Sequence, residues 1–84
     1  MKKPKKNPRK LVYDEEGLKL LASKLKEVRA MKGFTQEELA YQSGLSLSQI
    51  ARIETVKINP TVSTIFKIAR TLKVNVSELF DFKL

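Results

Sequence analysis

Between Thr35 and Thr55 the chain reads TQEELAYQSGLSLSQIARIET, a stretch that opens two helices only eleven residues apart. Thr35 followed by Glu38, and Ser46 followed by Gln49, both have the form of a capping box. In such a box a hydroxyl accepts one free amide of the first turn, and the carboxylate or carboxamide reaches back to another. Gly44 lies between the two starts, where a left-handed residue can end one helix and turn the chain into the next. Phe34, just before the first cap, is placed to staple onto Leu39. Ala40 allows a close helix crossing, while Leu45, Ile50 and Ile53 give the second helix an inner face. Its outer face is then Leu47, Ser48, Ala51, Arg52 and Thr55, with no acid before Glu54. A helix that met only water would carry glutamate and lysine there. Two short helices around a tight turn, the second left bare outward, form the helix-turn-helix pattern, whose second helix enters the DNA major groove.

The flanks read as support for that pair. Asp14 caps a first helix whose Glu15 and Glu16 suit the positive end of its dipole. Leu18, Leu21, Ala22, Leu25 and Val28 make its apolar stripe, Gly33 ends it, and Gly17 predicts a frayed first turn. Thr61 after Pro60 starts a fourth helix with Val62, Ile65, Phe66, Ile68, Ala69 and Leu72 as its stripe. Asn75 to Glu78 is a third box-like start, opening a short fifth helix that ends near Phe80. The alternation in Phe80 to Leu84 fits a short strand. The expected organisation is an all-α bundle of five helices over 14–84, preceded by a basic arm over 1–13.

Composition narrows the chemistry. Eighty-four residues suit one small core, and the chain has no cysteine and no histidine. There is thus no disulfide framework or thiolate site, and neither the commonest general base nor the commonest metal ligand. Glu37 and Glu38 are explained by a helix start, so an enzyme is not expected, nor a metal, cofactor or small-molecule ligand. No apolar run approaches the roughly 18 residues of a membrane span, which makes a cytoplasmic protein the plain expectation. Seventeen basic residues against nine acidic ones give a net charge of +8. Lys2, Lys3, Lys5, Lys6, Arg9 and Lys10 supply six of these before any acid occurs, which leaves the rest of the chain at only +2. A segment so charged, with Pro4 and Pro8, should be disordered in isolation. It is either a solubilising or artefactual tail, or an arm that lies along phosphates or enters a groove.

From Leu18 to Phe80 the chain resembles the Cro and phage-repressor type of helix-turn-helix domain, the XRE family, with a lambda repressor-like fold. The resemblance is carried by Arg29, Thr35-Gln36-Glu37-Glu38-Leu39-Ala40, Gly44, Ile50, Ile53, Glu54, Asn59-Pro60-Thr61, Ile68-Ala69 and Leu72. It implies that Leu47, Ser48 and Arg52 face the bases. Arg52 is the main specificity candidate, since a guanidinium can give two hydrogen bonds to guanine. It also implies backbone contacts from Gln36, Ser46, Thr55, Lys57, Asn59 and Thr61, with Ser46 ranked lower because its hydroxyl caps a helix. Glu54 would pair with Arg29 to tie the third helix to the first. Family members usually carry glycine where this chain has Val56, so the loop either follows another path or is strained.

A single such domain covers one half-site, so the expected function is a transcriptional regulator, in the repressor sense, reading a palindromic operator as a homodimer. Leu79, Phe80, Phe82 and Leu84 either form the dimer surface or merely close the core. The competing expectation is a protein-interaction module, such as the antitoxin of a toxin–antitoxin pair, which could also repress its own operator.

Overall fold

A computed structural model describes residues 12–84, and the six basic residues of the N-terminal segment lie outside them. Five helices follow in order: α1 over Glu15–Met31, α2 over Gln36–Ser43, α3 over Leu47–Glu54, α4 over Val62–Leu72 and α5 over Val76–Leu79. Among the described residues there is no strand, and no helix is long and apolar enough to cross a membrane. The tail after α5 bends back at once, with the Phe82 amide donating to the Phe80 carbonyl at 2.9 Å, so the expected strand does not form. One ladder-less segment has nothing to pair with.

The helix starts follow their side chains. Asp14 Oδ1 accepts the Gly17 amide at 3.0 Å, and a β-carbon on Gly17 would meet Asp14 Oδ2 at 2.9 Å. Gly17 therefore accommodates the cap, and the helix is regular from Glu15, in contrast to the frayed turn that glycine predicts. Both boxes around the turn are closed: Thr35 with Glu38 at 3.0 and 2.9 Å, Ser46 with Gln49 at 3.0 Å each way. Thr61 Oγ1 accepts the Thr64 amide at 3.2 Å. At α5 only half the box is present: Glu78 accepts the Asn75 amide at 3.3 Å, and the Glu78 amide goes to the Asn75 backbone carbonyl instead.

The core gathers Leu21, Leu25, Val28, Leu39, Ala40, Ile50, Ile53, Ile65, Ile68, Ala69, Leu72 and Leu79, with Leu18, Phe34 and Leu45 packed on its edge. α3 lies against α1 and α2, α2 also against α4, and α5 closes the far end against α1 and α4. Two stripe residues of α4 turn out: Val62 and Phe66 are 62% and 42% exposed, because α4 buries only its Ile65, Ile68, Ala69 and Leu72 face. Leu79 is fully buried, so it closes the core and is removed from the candidate dimer surface.

Three helices end in the same way. The amides of Phe34, Lys57 and Val74 donate back to the carbonyls of Arg29, Arg52 and Ala69, around left-handed residues at 33, 56 and 73. This is the Schellman arrangement, in which glycine normally takes the left-handed place. Only the first uses it; Val56 has φ 60° and Lys73 φ 59°. The loop after α3 therefore keeps the usual path and strains a β-branched residue to do so, at about 1–2 kcal/mol. Glycine there returns some of that gain as extra freedom in the unfolded chain, about 0.5–1 kcal/mol. Val56→Gly is expected to stabilise the domain by a net ~0.5–1 kcal/mol, raising the melting midpoint by about 2–8 °C. An unchanged or lower midpoint in a thermal melt counts against strain at this turn.

Candidate nucleic-acid interface

The geometry of α3 separates an inner from an outer face. Ile50 and Ile53 are 0% and 3% exposed, while Leu47, Ser48, Arg52 and Thr55 face solvent; Ala51 is half-buried. The side chains of Leu47, Ser48 and Arg52 make no hydrogen bond or ion pair among the described residues. The face is uncharged at its N-terminal end and carries its one cation, Arg52, at the last turn.

The acid of this helix is turned away. Glu54 is 3% exposed and accepts from Arg29 twice, Nε to Oε2 at 2.7 Å and Nη2 to Oε1 at 3.0 Å. Arg29 Nη1 adds a bond to the Phe34 carbonyl at 2.9 Å, and Gln36 Nε2 donates to Glu54 Oε1 at 2.8 Å. One carboxylate thus collects α1, α2 and the loop between them onto α3. The hydrogen bonds to Glu54 hold the Arg29 guanidinium pKa above its ordinary value, against the opposing effect of burial. Because this pKa is raised on folding, the stability it contributes is fully present below the ordinary arginine value and is lost as pH rises from there through the raised one, far above physiological conditions. With its negative charge neutralised, α3 offers no acid to an approaching polyanion.

The residues expected to meet the backbone divide into two sets. Lys57 is exposed at the C-terminal end of α3. The others have internal partners: Ser46 Oγ in its cap, Thr55 Oγ1 donating to the Ala51 carbonyl at 2.8 Å, and Thr61 Oγ1 in the α4 cap. The Gln36 amide nitrogen is committed to Glu54, and Asn59 Nδ2 donates to the Val12 carbonyl at 3.2 Å. These side chains brace the surface that carries Lys57 and Arg52.

One feature escapes sequence reasoning altogether. Tyr13 Oη donates to the Val56 carbonyl at 2.9 Å, so the segment before α1 is fastened to the loop after α3. An aromatic residue just ahead of the Asp14 cap is the only local signal, and nothing in the sequence points to a partner 43 residues away.

The Helix-turn-helix family model HTH_3 matches residues 25–79, which spans α1 from Leu25 through α5. The chain belongs to the XRE-type helix-turn-helix family. An HTH-type transcriptional regulator of Archaeoglobus fulgidus, itself uncharacterised, is 37% identical over 62 residues, 74% of this chain and 89% of that protein. The crystal structure of the restriction-modification controller protein C.AhdI from Aeromonas hydrophila superposes with a TM-score of 0.73 at 36% identity, covering 75% of this chain and 96% of that one. The antitoxin HipB of Escherichia coli is 37% identical over 57 residues, 68% of this chain and 65% of its own length. This XRE-family chain thus has a DNA-binding fold of transcriptional regulators, a family without enzymatic activity.

Proposed function

We propose that the protein is a sequence-specific, double-stranded DNA-binding regulator that represses by occupying a palindromic operator as a homodimer in the cytoplasm. The observation that carries this reading is the division of α3: Ile50, Ile53 and the acid are locked inward, and Leu47, Ser48 and Arg52 stand free on the outside. In this reading those three read bases. Lys57 meets phosphate, Gln36, Ser46, Thr55 and Asn59 contribute mainly by holding the surface, and the first turn of α4 behind Thr61 offers backbone amides to a phosphate. Dimerisation falls to Phe80, Phe82 and Leu84. The Phe80 and Phe82 rings lie 6.2 Å apart, and Phe80 and Leu84 are 46% and 86% exposed beside an open apolar cleft.

Selection of binding sites from random duplex DNA at a stated salt concentration tests the whole reading. The expected product is a pair of inverted half-sites centred about 34–36 Å apart, and retention that falls steeply as salt rises. Mass measured over a dilution series should show a dimer dissociating to monomer. Unordered or absent enrichment, or a monomer at every concentration, sinks the corresponding part.

The similarity to an antitoxin keeps a second reading in view, in which the α3 surface binds a protein partner. DNA retention that is absent or insensitive to salt favours it; steep salt dependence favours the first. The basic segment gives a separate result. Deleting residues 2–10 should leave the fold and melting midpoint intact but weaken DNA binding and flatten its salt dependence, by up to about 0.9 in log–log slope for each phosphate that the arm neutralises. An unchanged slope removes the arm from the interface.

A further inference from the structure

The loop that leaves α3 is held from outside itself. The Tyr13 hydroxyl donates to the Val56 carbonyl at 2.9 Å, and Asn59 Nδ2 donates to the Val12 carbonyl at 3.2 Å. Between these two ties stand Lys57, which is exposed, and Ile58, which packs against the core. Both ties reach the two residues just ahead of the Asp14 cap, more than forty positions away in sequence.

Their place matches a local weakness. Val56 sits at φ 60°, a conformation that a β-branched side chain disfavours. Within the turn itself, the Val56 amide donates to the Ile53 carbonyl at 3.2 Å and the Lys57 amide to the Arg52 carbonyl at 2.8 Å. Relaxation of Val56 to negative φ would break the second bond and swing Lys57 away from the end of α3. The Tyr13 hydroxyl opposes that movement, because it fixes the peptide plane that joins Val56 to Lys57. Lys73 provides the comparison within the same chain. It is left-handed too, at φ 59°, but its side chain is unbranched, and among the described residues no side chain bonds to its carbonyl. The extra tie occurs at the β-branched residue, beside the exposed cation.

We propose that Tyr13 is a positioning residue: its hydroxyl holds the strained Val56 turn in the conformation that presents Lys57 to a phosphate, a restraint that Val56→Gly would make unnecessary. This rests on the DNA-binding reading above, in which Lys57 meets phosphate. Tyr13 supplies no charge and acts through the loop alone.

The test uses the full chain and places Tyr13→Phe in the parent, in Val56→Gly and in Lys57→Ala. Phenylalanine keeps the ring of a side chain that is about half exposed and removes only the hydroxyl. Without DNA, hydrogen exchange at the Lys57 amide reports the turn directly, since that amide closes it. In the parent, Tyr13→Phe should speed this exchange by about 2- to 12-fold, the range of one hydrogen bond. In Val56→Gly the change should stay below about 2-fold, because glycine is not strained there. Titration against a duplex carrying the selected operator supplies the second readout. Tyr13→Phe should weaken binding by the parent over the same range, since fewer molecules hold Lys57 in place. In Val56→Gly and in Lys57→Ala the substitution should leave affinity within about 2-fold. An equal loss of affinity in Lys57→Ala means that Tyr13 acts elsewhere on the surface, and overturns the proposal. So does Lys57 exchange that is unchanged in the parent, or speeded equally in Val56→Gly. A lower melting midpoint with exchange and affinity unaltered reduces Tyr13 to a structural role. A parent protein that shows no salt-dependent binding to any duplex removes the DNA reading and the proposal with it, a result that the parent titration alone identifies.

Discussion

Arg29→Ala is expected to destabilise the domain by about 3–5 kcal/mol, enough to lower its melting midpoint by at least ~12 °C. The reason is the position of its partner. The Glu54 side chain is 1% exposed, and without Arg29 it keeps only the Gln36 amide as a donor, so a charge is left nearly unpaired in the interior. Glu54→Ala should cost less, because Arg29 is 16% exposed and retains the Phe34 carbonyl, so its guanidinium can turn toward water. The double substitution should then be less damaging than the sum of the two, with a coupling of about 1–3 kcal/mol. Thermal or urea unfolding of the four proteins measures this directly, and additive losses would show that the pair does not act as a unit. A marginal total of about 5–15 kcal/mol for domains in general explains why one such pair can decide whether this bundle stands. The same bonds withdraw the only acid of α3 from its outer face, the surface proposed to meet DNA.

Arg52→Ala should reduce the preference for one base pair of each half-site by about 1–3 kcal/mol, or roughly 5- to 150-fold, while changing non-specific binding far less. The guanidinium sits on the exposed face near the C-terminal end of α3, where it can give two parallel donors to a guanine edge. Lys57→Ala supplies the contrast: as a phosphate contact it should weaken all duplexes alike and lower the salt slope by about one. Competition titrations with operator and scrambled DNA separate the two behaviours. If Arg52→Ala weakens both duplexes equally, it meets phosphate, and base reading falls to Leu47 and Ser48.

Much of this is legible in the sequence because it is local. Thr35–Glu38, Ser46–Gln49 and the Thr61 cap each lie within four residues, and a hydroxyl before a helical run finds its amide whatever the rest of the chain does. The apolar spacing of α1 and α3 names their buried faces for the same reason. The stripe of α4 is wider in sequence than in the fold. Val62 and Phe66 share its periodicity with Ile65 and Leu72, and only the packing of α2 and α5 decides which edge is covered. Leu79 and Leu84 likewise look equivalent as apolar residues near the chain end, yet one is 0% and the other 86% exposed.

By itself, then, the sequence determined where five helices begin, that α3 has a bare outer face, and that Arg29, Gln36 and Glu54 occur at the positions of a DNA-binding family. Local hydrogen bonds and helical periodicity suffice for that, since both act over a few residues. Only the tertiary structure decided that Gln36 serves Glu54, that Val56 keeps the left-handed turn despite its side chain, and that Tyr13 holds that turn from 43 residues away. These depend on which helix ends the core brings together, and a contact between distant stretches leaves no periodic trace in either of them.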